Sequence, residues 1–201
     1  FTTGTDEHGM KVEKAAKNKK KPPQEFVDKV SKNFKELAKK LNISNTDFVR
    51  TTESRHKSSA TFFWNELKKN NQIYLSMYKG WYSVKDESFY QEKELLKDGD
   101  QYKTHDGSLV EWVEEESFFF KLSEWQGKLI DFYNNNPYFV QPESRFNEVK
   151  SFVKSGLKDL SVSRTSFNWG IKIPESNNHI MYVWIDALTN YLTSIGYPKI
   201  D

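Results

Sequence analysis

Ile180-Met181-Tyr182-Val183-Trp184-Ile185 is a run of six apolar residues closed by Asp186, and Ala187–Ile195 follows it in helical spacing. Nothing polar alternates within the run, as it would in a strand with one wet face. The pattern predicts a strand buried on both sides, as at the centre of a parallel sheet. A strand, an acid at its carboxyl end and then a helix is the arrangement at which open α/β sheets bind ligands. The predicted fold class is therefore α/β.

Upstream, Phe1–Thr3 reads as the end of a strand, and Gly4-Thr5-Asp6-Glu7-His8-Gly9 as a glycine-bracketed loop. Lys11–Asn18 is a charged helix, and Pro22-Pro23 opens a better one with Phe26, Val30, Phe34, Leu37, Ala38 and Leu41 along one face. Phe48–Thr52 is a short strand, and Ser58 or Ser59 caps a helix running to about Asn70. From Gln72 to Phe120 the texture changes. Ile73–Tyr78 and Trp81–Val84 read as aromatic strands around Lys79-Gly80, with turn signals at Asp98-Gly99-Asp100 and Asp106-Gly107. This predicts a small antiparallel insertion. Helical periodicity resumes at Ser123–Asn134 and Ser144–Lys154, so the chain divides into 1–71, an insertion at 72–120, and 121–201.

Composition bounds the function classes. The 201 residues are 36% hydrophobic and 15% aromatic, enough for a core despite 29% charged residues. A net charge of +2 does not describe a globally basic nucleic-acid binder, and only four of the 30 basic residues are Arg. The absence of cysteine excludes disulfides and thiolate metal sites. No apolar stretch is long enough to span a membrane. The first residue is Phe, inside what reads as a strand, and the chain is expected to be an internal piece of a longer protein.

Four constellations are candidates for chemistry. Asp6-Glu7-His8 places three titratable groups at a strand end, either a site or a solvated turn. Adjacent residues diverge, so these are poor metal ligands, and His56, His105 and His179 form no ligand spacing. Trp184, Ala187, Leu188 and Tyr191 could line one aromatic-walled pocket or simply pack as core, while Asp186 could cap the following helix. Lys17, Lys19, Lys20 and Lys21 could touch phosphate or remain solvated. Phe118-Phe119-Phe120 and Trp125 could stack on bases or fill a core. No phosphate-binding glycine loop, dinucleotide fingerprint or nucleophile elbow occurs.

Taken in order, the segments resemble the methionyl-tRNA synthetases, which are class I enzymes. Thr3-Gly4-Thr5-Asp6-Glu7-His8-Gly9 matches that family's TGTDEHG. Leu41-Asn42-Ile43-Ser44, Asp47–Thr52 and His56 match its next block. Gly80-Trp81-Tyr82-Ser83, Asp86-Glu87, Phe89-Tyr90, Val110-Glu111-Trp112 and Glu115–Phe120 resemble its connective insertion. Arg145–Val149, Gly156–Ser161, Ser163-Arg164, Trp169-Gly170-Ile171 and Tyr182–Leu188 with Asn190-Tyr191 continue the series to the end of the chain.

The resemblance implies a Rossmann-type parallel sheet interrupted by an antiparallel connective-peptide insertion. It implies an aminoacyl-tRNA ligase that makes methionyl-adenylate from methionine and ATP (with Mg2+) and charges tRNA(Met). By matched position, Trp184, Ala187, Leu188 and Tyr191 would surround the methionine side chain, and Asp6, Glu7 and His8 would form the active-site rim. Arg164 would lie near the reacting ends of adenylate and tRNA. Many members hold zinc in the insertion on CxxC pairs. Here Ser83 and Asp86 take the first pair's places, as in the zinc-free branch, so no structural metal is expected. The family's HIGH and KMSKS motifs are absent from the chain, which is therefore expected not to form adenylate alone. Neither DNA nor a membrane is an expected partner, and the expected location is cytoplasmic, with an organelle as the alternative. A silent synthetase-like RNA-binding module and a class I synthetase for another aliphatic amino acid are the rival readings.

Overall fold

The structure, a computed structural model, describes residues 1–83, 85, 86, 88–90, 92–99 and 101–199; Val84, Glu87 and Asp100, used in the readings above, lie outside them. Strand β1 (Thr2–Thr5) lies parallel to β2 (Asp47–Arg50), with Thr2 opposite Asp47 and Thr5 opposite Arg50. Parallel strands need a crossover, supplied here by helices α1 (Met10–Asn18) and α2 (Pro23–Lys40). The strands meet closely at Gly4, where a Cβ would stand 1.9 Å from the Val49 carbonyl oxygen. The predicted stripe along α2 buries little: Phe34, Leu37 and Leu41 are exposed, and the covered residues of the helix, Val27 and Ser31, lie off the stripe.

Helix α3 (Ser54–Lys69) begins ahead of the serine pair predicted to cap it. Ser59 is instead buried inside the helix, its Oγ 2.7 Å from the Tyr197 carbonyl oxygen. The aromatic segment after it forms β3 (Ile73–Ser83), β4 (Ser88–Tyr90), β5 (Leu96–Asp98), β6 (Gln101–Lys103) and β7 (Leu109–Phe120), in the sheet order β4-β3-β7-β6-β5. Lys79-Gly80 is not a turn. One strand runs through it, antiparallel to β7 from Ile73 opposite Phe120 to Tyr82 opposite Glu111. Aromatic pairs across the two strands, such as Trp81 and Trp112 with ring centroids 5.4 Å apart, favour an uninterrupted ladder over a hairpin at a lone glycine.

Helices α4 (Gln126–Asn135) and α5 (Glu143–Lys154) follow, α4 preceded by a 3-10 turn at Leu122–Trp125. Strand β8 (Leu160–Ser161) pairs with the end of β7. Strands β9 (Ser163–Arg164), β10 (Lys172–Ile173) and β11 (Ser176–Met181) make an antiparallel sheet in the order β10-β11-β9, and α6 (Asp186–Thr193) follows.

The apolar run at 180–185 is thus not a central parallel strand. Ile180 and Met181 end the antiparallel β11, and Tyr182–Ile185 form a turn closed by the Ile185 N–H donating to the Tyr182 carbonyl at 2.9 Å. The burial that the composition announces is real, since Ile180, Met181 and Ile185 are covered. Apolar character reports burial, not pairing direction, and a chain turning inside a core needs it equally. The parallel pair lies at β1 and β2. Ile73, Phe118, Val162, Ile171, Ile173, Met181 and Ile185 pack with Ala60 and Trp64 of α3 into one core. Trp64 is fully buried, and its ring meets Phe118 edge-on at 5.4 Å. Among the described residues no helix is long and apolar enough to cross a membrane.

Candidate active site

The chain leaving β1 at Thr5 enters the Asp6–Gly9 loop, which lies against the start of α6. The loop is tied down from both sides. The Trp169 indole N–H donates to the Glu7 carbonyl at 2.6 Å, and the Gly9 N–H donates to the Trp169 carbonyl at 3.0 Å. Gly9 has φ 102°, a backbone state that favours glycine, and α1 starts directly after it. Gly170 leaves no room for a side chain, since a Cβ would meet Ile180 Cγ2 at 2.3 Å. The loop, β11 and the turn after it are thereby held together.

They enclose a cavity of about 240 Å³. Asp6, His8, Gly9 and Met10 form one wall, Met181–Trp184 and Asp186 another, and Tyr82, Asp86 and Phe167 complete it. Tyr82 lies on β3 of the antiparallel sheet, and Asp86 follows it in the chain between β3 and β4. Three carboxylates in the lining make the cavity suited to a cationic group such as an ammonium.

Three adjacent residues of the loop have three different fates. Asp6 and His8 line the cavity. Glu7 turns away and is 3% exposed. Its carboxylate accepts from Arg50 Nε at 2.7 Å, Arg50 Nη2 at 2.9 Å, Thr5 Oγ1 at 2.6 Å and Thr52 Oγ1 at 2.5 Å. Arg50 in turn reaches Asp28 at 2.6 Å. Burial alone would push the Glu7 carboxyl up, but the donors from Arg50, Thr5 and Thr52 outweigh it and hold the group below its ordinary range. Glu7 therefore does not form the rim with its neighbours. Alternation along an extended loop sends it to the opposite side, where it braces β1 against β2.

Asp186 is not the helix cap, a position held by Ile185. It is the first residue of α6 and is buried, accepting from His8 Nδ1 at 2.6 Å and from His56 Nε2 at 2.9 Å. Burial would raise this carboxyl, yet the hydrogen bonds from His56 and His8 keep it lowered. His56 reading as an isolated histidine hid this contact, because α3 and α6 meet only in the fold.

The four residues of the predicted side-chain pocket, at positions 184, 187, 188 and 191, run from the turn before α6 along that helix. Trp184, Leu188 and Tyr191 are 44%, 50% and 69% exposed. They do not share one recess in this structure. Trp184 and Leu188 border an apolar groove with Phe63, Leu67 and Phe120, whereas Ala187 and Tyr191 border a second recess against Thr2–Asp6 of β1. Trp184 also borders the main cavity. Arg164 does not line it. It is buried behind Tyr182, with its guanidinium 3.7 Å from that ring's centroid and Nη1 donating to the Ser163 carbonyl at 2.7 Å.

Phe118 belongs to the core, and Lys17, Lys19 and Lys20 are exposed at the elbow between α1 and α2. Between β3 and β4, Ser83 Oγ donates to Asp86 Oδ2 at 2.6 Å and Tyr90 OH to the same oxygen at 3.2 Å. These groups satisfy one another, and among the described residues no three His, Asp or Glu side chains are grouped for a metal. The donor set does not fit zinc.

Comparison with known proteins bears directly on this geometry. The family described as tRNA synthetases class I (M) matches residues 1–200. A methionine–tRNA ligase of Rickettsia typhi is 59% identical over 198 residues, covering 98% of this chain and 38% of the relative. That of Brucella melitensis is 52% identical over 200 residues, covering 98% and 39%. Among solved structures, a Mycobacterium tuberculosis methionyl-tRNA synthetase in complex with methionyl-adenylate is similar with a TM-score of 0.93 and 46% identity, covering 100% of this chain and 40% of that one. The chain thus spans about two fifths of the length of the relatives it matches.

Proposed function

The chain belongs to the class I (M) tRNA synthetases, and from that premise we propose that it forms the amino-acid side of a methionyl-tRNA synthetase active site. In the intact protein the methionine carboxylate attacks the α-phosphate of ATP, supplied with Mg2+, and pyrophosphate leaves; the terminal ribose hydroxyl of tRNA(Met) then takes the methionyl group from the adenylate, and AMP leaves. The cavity between the Asp6–Gly9 loop and α6 is the observation that carries this reading. Its acidic lining suits the substrate's ammonium group, and it opens beside an exposed apolar stripe that suits the side chain.

Trp184, Ala187, Leu188 and Tyr191 are the residues proposed to surround the thioether. Ala187 and Leu188 lie three and four residues after Trp184 and four and three before Tyr191, and Trp184, Leu188 and Tyr191 leave large apolar surface uncovered. A thioether is polarizable and packs well at the edges of aromatic rings. Asp6 and His8 are proposed as the polar rim. Glu7 is proposed as a brace of that loop, and Arg164 as a support for Tyr182 in the cavity wall. Activation needs orientation and charge stabilisation more than a general base, so a fixed polar rim is the part these residues supply. The segment 72–120 is proposed as the connective insertion that closes the site through Tyr82 and Asp86. As a translation enzyme the protein is proposed to act in the cytoplasm.

Methionine-dependent exchange of pyrophosphate into ATP by the intact protein tests the reading. Exchange with methionine and at least about tenfold less with leucine is expected, the order of discrimination an apolar pocket achieves between near-isosteric side chains. No exchange, or equal exchange with both amino acids, would refute it.

A further inference from the structure

Helix α6 has two working sides. One side, with the turn before it, carries the exposed stripe of Trp184, Leu188 and Tyr191, and the other presents Asp186, Thr189 and Thr193, all buried. His56, in the first turn of α3, touches this hidden side twice. Its Nε2 donates to Asp186 Oδ1 at 2.9 Å, and its Nδ1 lies 3.2 Å from Thr193 Oγ1, seven residues further along α6. The imidazole is fully buried and Asp186 is 2% exposed. The other oxygen of Asp186 accepts from His8 Nδ1 at 2.6 Å. One carboxylate therefore joins three elements: the loop after β1, the first turn of α3 and the head of α6.

We propose that His56 is a positioning residue for the amino-acid site, acting through Asp186 on His8 and on the head of α6. The chemistry follows from the geometry. With Nδ1 turned to Asp186, the His8 ring keeps its Nε2 for a polar group of the substrate on the cavity side. A carboxylate bonded only by His8 is free to rotate about its Cβ–Cγ bond. The second bond from His56 fixes the carboxylate plane and hence the direction of the His8 ring. Because Asp186 opens α6, the same bond sets how far the polar rim stands from the apolar stripe. An amino acid must satisfy both at once, so the His56 link bears on how methionine is held. ATP does not touch the stripe in this reading. The inference rests on the function proposed above.

The test uses the intact protein and the exchange assay, with His56→Ala, His56→Gln and Asp186→Asn compared with the parent. His56→Ala removes the donor to Asp186. A displacement of about 1 Å at a reacting group costs on the order of 100-fold, so a methionine KM raised about 10- to 100-fold is expected, with the ATP KM within about twofold. His56→Gln places an amide N–H near the position of Nε2 and is expected to recover methionine KM to within about threefold of the parent. Asp186→Asn, which keeps the shape but offers only one acceptor oxygen to two imidazole donors, is expected to resemble His56→Ala and serves if that variant does not fold. In a His8→Ala background, His56→Ala should add less than it does alone, because residues acting through one another are not additive.

An unchanged methionine KM in folded His56→Ala, a Gln variant as impaired as Ala, or full additivity with His8→Ala overturns the inference while leaving the functional reading intact. A parent protein without methionine-dependent exchange overturns both.

Discussion

Glu7 and Asp6 are adjacent carboxylates assigned opposite roles, and replacing each by its amide separates them. Four donors converge on the two Glu7 oxygens, at 2.5 to 2.9 Å, two of them from one Arg50 guanidinium. Glutamine keeps one acceptor oxygen and turns an N–H2 toward donors, so two of the four contacts are lost and the buried charge of Arg50 loses its principal partner. Removing one member of a buried ion pair costs about 3–5 kcal/mol. Arg50 retains Asp28 at 2.6 Å, and its side chain is 17% exposed, which places the cost at the lower end, about 3 kcal/mol. For a unit of this size that corresponds to a melting temperature lower by roughly 6–12 °C. Urea unfolding followed by tryptophan fluorescence reads it well, since Trp169 donates to the Glu7 carbonyl and reports the same loop. Below the transition, the Glu7→Gln variant should bind methionine within about threefold of the parent, whereas Asp6→Asn should unfold normally and lose methionine affinity by at least about tenfold, the value of a charged hydrogen bond. A Glu7→Gln variant as stable as the parent, or one that loses methionine while keeping its stability, would refute the division of roles.

Trp64→Ala should cost about 3–5 kcal/mol by urea unfolding, because the ring is fully buried in the core, and Trp64→Phe should recover part of that while losing the Nε1–H bond to Glu175. Gly4→Ala should destabilise by more than about 2 kcal/mol or yield insoluble protein, since the methyl group would overlap the Val49 carbonyl on the partner strand. The lowered carboxyls of Glu7 and Asp186 make stability depend on acid. Their contribution is complete above the unfolded carboxylate pKa values of about 4 and is lost as pH falls through the lower folded values, so stability measured from pH 6 to pH 3 should drop, and drop less in Glu7→Gln. Prolonged treatment with a zinc chelator should leave the melting temperature unchanged, because Ser83, Asp86 and Tyr90 hold their turn by hydrogen bonds; a fall of several degrees would show a metal there.

Sequence periodicity carried local structure further than it carried direction. The α2, α4 and α5 segments were legible from their helical periodicity, and the aromatic strands from their composition and the turn signals between them. The antiparallel course of β11 was not, since a residue buried on all sides looks alike in a parallel strand, an antiparallel strand and a turn. Nor could Lys79-Gly80 be distinguished from a hairpin, because the partner that keeps β3 straight, β7, begins 29 residues later at Leu109.

The site divides in the same way. Asp6 and His8 were visible as a loop between glycines at a strand end, and the stripe on α6 as a helical spacing. The groups that orient them were not visible, because a histidine 130 residues from an aspartate carries no local signal of their contact. Glu7 shows the converse failure: it sits between two cavity residues in the sequence and faces Arg50 in space. Chemical type identified which side chains are reactive, but only the packing of α3 against α6 decided which are buried as supports. Such supports are polar, covered and satisfied, so in a sequence they look like ordinary surface residues. The His8–Asp186–His56 link is therefore the part of the site that its own residues, taken one at a time, would never have suggested.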